Sequence, residues 1–322
     1  MTDPRQVLPG TTYEFYRRCA ERKRLLHPDR GYHPGSGSRR PDGRPIWLYS
    51  LGLAMQRHGV QVHALCVLGN KHLLVLSDPQ GRLSDFAREF HANVARGYNR
   101  LRRRGESLWG PGSFSAPPLP EDAEAVLGAM VAVIVAPVAA GLVERPEQWP
   151  GLCTRPDDVG RAYVQARPSF FFRDPIRQAA RWGHHPSRLP EEVRVPITPP
   201  PQLAHLSAAE LRRLLRERVD AALEGIHAAR RAKGLGYLGR RAILAEDPFT
   251  PPPGDRTPRE LRRYRWKEAE RRRANREFLR RHREARLAFQ AGDREAIFPA
   301  GTWRAVRVYG ARVERPPDAS AA

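Results

Sequence analysis

The chain is poor in cysteine and has no apolar leader. Its 322 residues include only 3 cysteines, which are scattered, odd in number and not in CxxC spacing. A disulfide framework and a structural zinc site are therefore both disfavoured, and a reducing cytoplasm is the expected compartment. The first ten residues are polar and contain two prolines, so we do not expect them to be a signal peptide.

Long apolar runs are equally scarce. Only the stretch from Val126 to Val143 has 18 residues without a polar side chain, which is the lower limit for crossing a bilayer. The run is rich in Ala and Gly, and Pro137 lies inside it. Because proline breaks a helix interior, we expect a buried core helix here and no membrane partner.

Acidic residues are the third shortage. There are 35 Asp and Glu against 56 Lys and Arg, which gives a formal net charge of +21. Such a charge favours a polyanionic partner: DNA, RNA or an anionic membrane. The large excess of Arg over Lys suits phosphate and base-edge contacts, although a GC-rich coding sequence produces the same bias.

The first 150 residues have the pattern of an α+β domain. Alternating runs predict strands, the pair Gly69-Asn70 predicts a hairpin turn, and residues 30–45 form a Gly- and Pro-rich loop. The order of the predicted elements allows a ferredoxin-like sandwich, which is an antiparallel sheet with two helices on one face. It does not distinguish this fold from other α+β folds. The predicted elements are strand Thr12–Cys19, helix Ile46–His58, strands Val60–Leu68 and Lys71–Leu76, helix Leu83–Arg103, strand Trp109–Ala116 and helix Glu121–Ala136.

The remaining chain divides into two further regions. Residues 151–206 are proline-rich and are expected to be irregular. Residues 207–322 form a basic, mainly helical C-terminal extension, which begins with a capping box at Ser207 and Glu210. A long helix is predicted from Pro258 to Ala291, and residues 256–286 carry 14 Arg and Lys against 5 Glu. Tyr264, Trp266 and Phe278 interleave with these arginines, a mixture that can stack on unpaired bases.

Several motifs in residues 8–150 together resemble a known family. They include the segment from Val60 to Asn70 with Ser77-Asp78-Pro79 after the next strand, Leu108-Trp109 with Ser113-Phe114, Pro137 to Val143, and Trp149-Pro150. In this order they resemble the bacterial single-tyrosine HUH transposases, and the REP-associated branch is the nearest. The resemblance implies a ferredoxin-like HUH fold and a DNA partner, either a hairpin or a single strand, that family members cut through a tyrosine.

The metal ligands of that family are not present at the matching positions. Family members carry Asn-His-x-His, and the two histidines bind a divalent metal at the scissile phosphate. Here the matching residues are Asn70, Lys71, His72 and Leu73, so Lys71 and Leu73 occupy the ligand positions. Since residues two apart on a strand face the same way, His72 is expected to point to the opposite face.

The nucleophile is missing as well. The family tyrosine lies five residues before the proline of its signature and matches Ala132, while its helical neighbour matches Ala136. No catalytic position is intact, no metal is expected, and Mg²⁺ or Mn²⁺ would be needed only if activity persists. Tyr13, Tyr16 and Tyr98 are alternatives for a relocated nucleophile, but packing roles are expected for them.

With the metal ligands and the nucleophile missing, nucleic-acid binding is the function that we expect. The first hypothesis is a transposase-family DNA-binding protein, related to DNA transposition but catalytically inactive. The second is an active transposase or nickase with a rearranged site, and the third is a nonspecific nucleic-acid-binding protein. A homodimer is left open, and a cytoplasmic, nucleoid-associated location is expected. The predicted DNA-binding residues are Lys71, Arg96, Arg100, Arg102, Arg103, Arg104, Arg263, Arg265, Trp266, Arg272 and Arg276.

Overall fold

The computed structural model describes residues 4–28, 31–32, 39–40, 42–112, 114–168, 189–252 and 269–316. Helices and strands are mixed along the whole of this described chain. In order they are β1 Thr11–Arg18, β2 Gly31–Tyr32, β3 Arg39–Arg40, α1 Arg44–His58, β4 Gln61–Val67, β5 Lys71–Asp78, α2 Leu83–Leu101, α3 Ala123–Ile134, α4 Ala136–Ala139, β6 Ala162–Ala166, β7 Glu192–Pro196, α5 Ala208–Arg231, α6 Arg240–Ala245, α7 Ala269–Gln290, β8 Ile297–Phe298, α8 Arg304–Tyr309 and β9 Arg312–Val313.

A small antiparallel sheet in the order β1-β5-β4 is the centre of the N-terminal half. The hairpin predicted at Gly69-Asn70 is confirmed, because β4 and β5 pair antiparallel on either side of this turn. Strand β1 pairs with β5 from Thr11 opposite Asp78 to Arg18 opposite Lys71. The register places the start of β5 beside the basic end of β1.

The predicted strand Trp109–Ala116 is not a regular strand. Its described residues run along the free edge of β1 and make isolated antiparallel bridges, among them Cys19 with Trp109 and Tyr16 with Ser115. Gly110-Pro111-Gly112 interrupts the segment, and proline has no N–H to donate to a ladder. Regular pairing therefore stops within a few residues.

Helices α1 and α2 cover one face of the sheet. The ring of Phe15 on β1 lies 5.8 Å from that of Phe86 and 6.5 Å from that of Phe90, both on α2. Trp47 on α1 meets Phe90 edge-on, with ring centroids 5.3 Å apart. All four side chains are fully buried, so this aromatic layer holds the two helices against the sheet.

The long apolar run forms a buried core helix, as predicted. It divides into α3 and the single turn α4 at Val135, one residue before the predicted stop. The side chain of Asp122 caps α3 by accepting a hydrogen bond from the Ala125 N–H at 2.9 Å. Helix α3 packs on β4 and β5. In the part of the chain that the structure describes, no helix has the length and apolarity needed to cross a membrane.

Residues 151–206 are more ordered than the composition predicts. Strands β6 and β7 pair antiparallel, with Tyr163 opposite Val195. Buried Val193 and Val195 lie against α1 at Gly52, where an added methyl group would come within 2.7 Å of the Val193 side chain. The expectation of an irregular segment is wrong for these strands. The alternation of apolar and polar residues in a five-residue strand is too short to be recognised in a proline-rich sequence.

Helix α5 begins as its sequence predicts. The Ser207 side chain accepts from the Glu210 N–H, and the Glu210 carboxylate accepts from the Ser207 N–H, so the capping box is confirmed. The helix buries Leu211, Leu215 and Val219 at the predicted spacing and packs on α3.

The C-terminal elements form a small module of their own. Helix α7 packs on β8, and Phe298 is the centre of a separate cluster with Ala285. Phe278, predicted to stack on bases, is buried in α7 beside His282. That prediction is wrong, because a side chain with 4% of its surface exposed has no ring face open to a base. The predicted helix from Pro258 extends into residues that are not described.

Backbone bonds attach this module to the start of the chain. The Val7 N–H donates to the Gly301 carbonyl at 3.0 Å, and Gln6 bridges Thr302. Gly301 has φ +83, and a Cβ there would lie 2.8 Å from the Val7 carbonyl oxygen. A residue with a side chain would therefore be strained and would push the two segments apart.

Asp85 in the first turn of α2 is the second attachment point. Its carboxylate accepts from Trp303 Nε1 at 3.2 Å and lies 3.3 Å from the Arg307 guanidinium. We expect Asp85→Ala to destabilise docking of the module by about 1 kcal/mol, the net worth of a typical hydrogen bond. Hydrogen exchange in residues 297–313 should become faster. Asp157→Ala, which removes the exposed carboxylate paired with Arg216, should leave exchange in this segment unchanged.

Candidate nucleic-acid interface

The two positions that match metal ligands lie on the sheet face away from α1 and α2. Lys71 and Leu73 alternate with His72 along β5, and Cys66 on β4 is directly opposite Leu73. Lys71 is buried, with 6% of its surface exposed, and Leu73 is half-buried. Lys71 is thus in the predicted place but offers little surface to a phosphate.

His72 points to the opposite face, as the alternation predicts. Its Nε2 lies 2.9 Å from the Nε2 of His91 on α2, so one ring donates to the other. Aromatic rings surround both imidazoles, with Phe15 stacked on His91 at 5.2 Å. Burial lowers the pKa of His72 to about 3 and holds that of His91 well below its ordinary value. Both histidines are neutral core residues.

The residues at the catalytic positions do not fit a metal or a covalent step. Ala132 on α3 is half-buried and Ala136 on α4 is fully buried, and a methyl side chain can neither attack phosphorus nor bind a cation. Leu73 has no donor atom, and a lysine ammonium has no lone pair to offer. Among the described residues, no group of three or more His, Cys, Asp or Glu is placed to hold a metal ion.

The tyrosines considered as relocated nucleophiles have packing positions. Tyr13 and Tyr98 are buried, and burial raises the pKa of Tyr13 to about 12. Tyr16 is half-buried on β1, where its backbone N–H donates to the Ser115 carbonyl at 2.9 Å.

Two separate basic segments meet at one end of the sheet. The Ala20 N–H donates to the Leu108 carbonyl at 2.9 Å, and the Arg102 guanidinium donates to the carbonyls of Leu25 and His27 at 3.2 and 3.1 Å. These bonds join the turn after β1 to the end of α2. We name residues 17–27 together with residues 96–108 the basic corner. It contains ten Arg and Lys, against two acidic residues, Glu21 and Glu106.

The five arginines predicted at the end of α2 divide into two groups. Arg96, Arg100 and Arg103 are exposed and face solvent. Arg102 is partly buried and bonded to carbonyls, and Arg104 pairs with Glu106 at 2.6 Å with only 7% of its side chain exposed. Arg102 and Arg104 therefore hold the corner together, and the other three present charge outward.

The first segment of the basic corner was not among the predicted DNA-binding residues. It carries five basic residues, of which Arg22 is exposed, Lys23 pairs with Glu21 at 2.9 Å and Arg24 pairs with Glu246 at 2.7 Å. The run was visible in the sequence, but only the fold shows that it adjoins the end of α2. The basic residues of this segment are Arg17, Arg18, Arg22, Lys23 and Arg24.

The predicted binding residues of the C-terminal helix are described only in part. Arg263, Arg265 and Trp266 lie outside the described residues, and so does the side chain of Arg272. Arg276 is exposed on α7. Further along, Arg280 pairs with Glu277 and Glu284, so part of the positive charge of this helix is balanced within it.

Comparison with known solved structures shows a likeness in fold. No family model matches this chain, and no curated protein matches it. A solved structure, that of a REP-associated tyrosine transposase bound to a REP hairpin, is similar to it with a TM-score of 0.37 and 15% sequence identity. The match covers 49% of this chain and 85% of the other chain.

Proposed function

We propose that this chain binds DNA, as a hairpin or a single strand, and does not cut it. The observation that carries the proposal is the basic corner, where two distant segments bring exposed arginines to one surface. The Ala20–Leu108 hydrogen bond and the Arg102 contacts fix the two segments to each other. A fixed array of guanidinium groups is suited to phosphates, because each offers several N–H donors and a permanent charge.

The absence of cutting follows from the side chains at the catalytic positions. The family resemblance places its two metal ligands at Lys71 and Leu73, its nucleophile at Ala132 and the helical neighbour of that nucleophile at Ala136. None of these side chains supplies a metal ligand or a nucleophile. Under this proposal the buried ammonium of Lys71 adds positive charge behind the sheet rather than a direct phosphate contact. Exposed Arg276 on α7 is a second contact for the nucleic-acid backbone.

The strand arrangement supports a ferredoxin-like fold for the binding domain. The segment 109–118 runs along the free edge of β1, so the order across the sheet is that segment, β1, β5 and β4. With α1 and α2 on one face, this is the order expected for two β-α-β units in a ferredoxin-like sandwich. We extend the proposal to a binding domain of residues 1–150, with the C-terminal extension as an accessory element and the nucleoid as the site of action.

The triple variant Arg22→Ala, Arg100→Ala and Arg103→Ala tests the basic corner. We expect a roughly tenfold weaker affinity for hairpin DNA at low salt, because up to three phosphate contacts are lost. The plot of log K against log[salt] should become shallower by about 2 units, since each single-strand contact contributes about 0.7. Fluorescence anisotropy across a salt series measures both quantities.

The matched control removes the same charge from another surface. Arg213, Arg216 and Arg218 are exposed on α5, and their triple replacement by alanine should leave the affinity and the salt slope nearly unchanged. Equal losses in the two triple variants would show that net charge alone drives binding. Equal affinities of the wild-type protein for hairpin DNA, duplex DNA and RNA would favour a nonspecific nucleic-acid-binding protein.

Incubation of the protein with single-stranded hairpin DNA and Mg²⁺ or Mn²⁺ tests the lack of cleavage. The expected result is an intact DNA strand and no covalent protein–DNA adduct on a denaturing gel. An adduct at any tyrosine would contradict the proposal and would support the alternative of a nickase with a rearranged site.

A further inference from the structure

Two cysteines face each other across a short antiparallel ladder at the edge of β4. The Val67 N–H donates to the Leu152 carbonyl, and the Thr154 N–H donates to the Leu65 carbonyl, both at 2.8 Å. These two bonds frame Cys66 and Cys153 as a directly opposed pair that is not itself hydrogen-bonded. Such a pair has its Cα atoms about 4.5 Å apart, within the roughly 4.4–6.8 Å range that a disulfide spans.

The two thiol groups also lie on the same face of the sheet, because directly opposed residues of an antiparallel ladder point the same way. Cys66 is fully buried and lies directly opposite Leu73. Burial raises the pKa of its thiol well above the ordinary value, and so does a hydrogen bond with Cys153. The Cys153 thiol contacts the Ile134 carbonyl at the end of α3 at 3.4 Å. The sulfur atoms therefore occupy the space between the strand and the helix that carry the former catalytic positions.

We propose that Cys66 and Cys153 form a dithiol that a hydroperoxide oxidises to a disulfide. The inference is independent of DNA binding, since it concerns only these two side chains and their surroundings. It assigns a chemical role to a region of the sheet where the residues expected for the family chemistry are missing.

The difference in exposure sets the order of the two steps. Cys153 is partly exposed, whereas Cys66 is fully buried, so the Cys153 thiolate meets the oxidant first. Its sulfur attacks one peroxide oxygen, the O–O bond breaks, and the departing hydroxide or alkoxide takes a proton. Cys153 is then a sulfenic acid.

The second step closes the cross-link. The Cys66 sulfur attacks the Cys153 sulfur, the S–S bond forms, the S–O bond breaks, and hydroxide leaves with the Cys66 proton as water. Overall, two thiols are oxidised and one hydroperoxide is reduced to water and an alcohol, or to two waters. The nearby ammonium of Lys71 assists, because its charge favours the Cys66 thiolate.

Non-reducing peptide mapping tests the proposal on the full chain. After treatment with hydrogen peroxide and quenching, we expect the intact mass to fall by two hydrogen atoms. After denaturing alkylation, we expect a linked peptide pair containing Cys66 and Cys153. The Tm of the oxidised protein should rise by roughly 5 °C, because the cross-link closes a long loop. Cys19→Ala is the matched control, since it removes the third cysteine of the chain, which is buried, and should leave the cross-link unchanged.

A second variant keeps the test decisive. In Cys66→Ala the sulfenic acid at Cys153 has no resolving partner, so dimedone should label Cys153, and no linked peptide should form. The proposal is overturned if all three wild-type thiols remain open to alkylation after oxidation. It is equally overturned if the linked pair includes Cys19, or if the Cys66→Ala variant is not labelled at Cys153.

Discussion

Acidification below about pH 6.5 is expected to destabilise this protein steeply, because three buried histidines take up protons only when the chain unfolds. Burial lowers the pKa of His63 to about 4 and that of His72 to about 3, and it holds that of His91 well below its ordinary value. Their folded-state pKa values are thus below the unfolded value. Between the two values the unfolded chain binds more protons, so stability is lost as the pH falls and is retained above about pH 6.5.

The size of the effect follows from proton linkage. Each buried histidine contributes a slope of about 1.4 kcal/mol per pH unit in this window, and three together contribute about 4 kcal/mol per pH unit. Urea unfolding between about pH 7 and about pH 5 measures the free energy of unfolding and its slope. The loss over one pH unit, about 4 kcal/mol, is a large fraction of the total stability of a typical domain, about 5–15 kcal/mol.

A double variant measures how much of this pH dependence of the free energy of unfolding comes from His72 and His91. His72→Leu with His91→Leu replaces both hydrogen-bonding partners by apolar groups, which leaves neither ring unpaired in the core. The slope should fall by about 2.7 kcal/mol per pH unit. The control His205→Gln, at an exposed position, should keep the wild-type slope. A wild-type slope no steeper than that of the double variant would refute this account.

Gly97→Ala is expected to lower the free energy of unfolding by about 2 kcal/mol. Gly97 lies on α2 where α1 crosses it, and a Cβ there would meet the Ile46 Cγ2 atom at 2.3 Å. Ile46 is fully buried, and its β-branched side chain has essentially one rotamer in a helix. The methyl group cannot move aside, so the two helices must separate.

A glycine-to-alanine substitution on α5 is expected to change the free energy of unfolding in the opposite direction. Gly225 is an exposed helical residue with no atom within 4 Å of an added Cβ. Gly225→Ala should stabilise the protein by about 0.5–1 kcal/mol, because alanine loses less backbone entropy in a helix. Urea unfolding of both variants checks the pair. A Gly97→Ala protein as stable as the wild type would show that the helix contact is loose.

Local signals predicted the elements that depend on neighbouring residues. The Gly69-Asn70 turn and the flanking β-rich runs gave the hairpin, and Ser207 with Glu210 gave the start of α5. The face of His72 followed from alternation alone, because its direction depends only on its position along β5.

Features that depend on distant residues could not be predicted in the same way. Strand β6 finds its partner β7 about thirty residues later, and five-residue strands carry little periodicity of their own. Phe278 had the spacing of an exposed stacking residue, but in the folded chain only 4% of it is exposed. The edge segment 109–116 failed as a strand for a local reason instead, because Gly110, Pro111 and Gly112 interrupt it.

In the candidate interface, too, some features were predictable from neighbouring residues and others depend on distant ones. The arginines at the end of α2 were visible as a cluster, yet their division into exposed and structural groups depends on the carbonyls of Leu25 and His27. The run from Arg17 to Arg24 was equally visible, but its contact with Leu108 joins positions some ninety residues apart.

The bonds between residues 6–7 and the C-terminal module also determine when this part of the fold can form during synthesis. The Gln6 side chain donates to the Ala300 carbonyl, 294 positions later. Residues 5–8 therefore stay without these partners until the ribosome has passed Ala300. Closure of the module onto Gln6 and Val7 must be a late folding step, and a chain that stops before Phe298 cannot complete it.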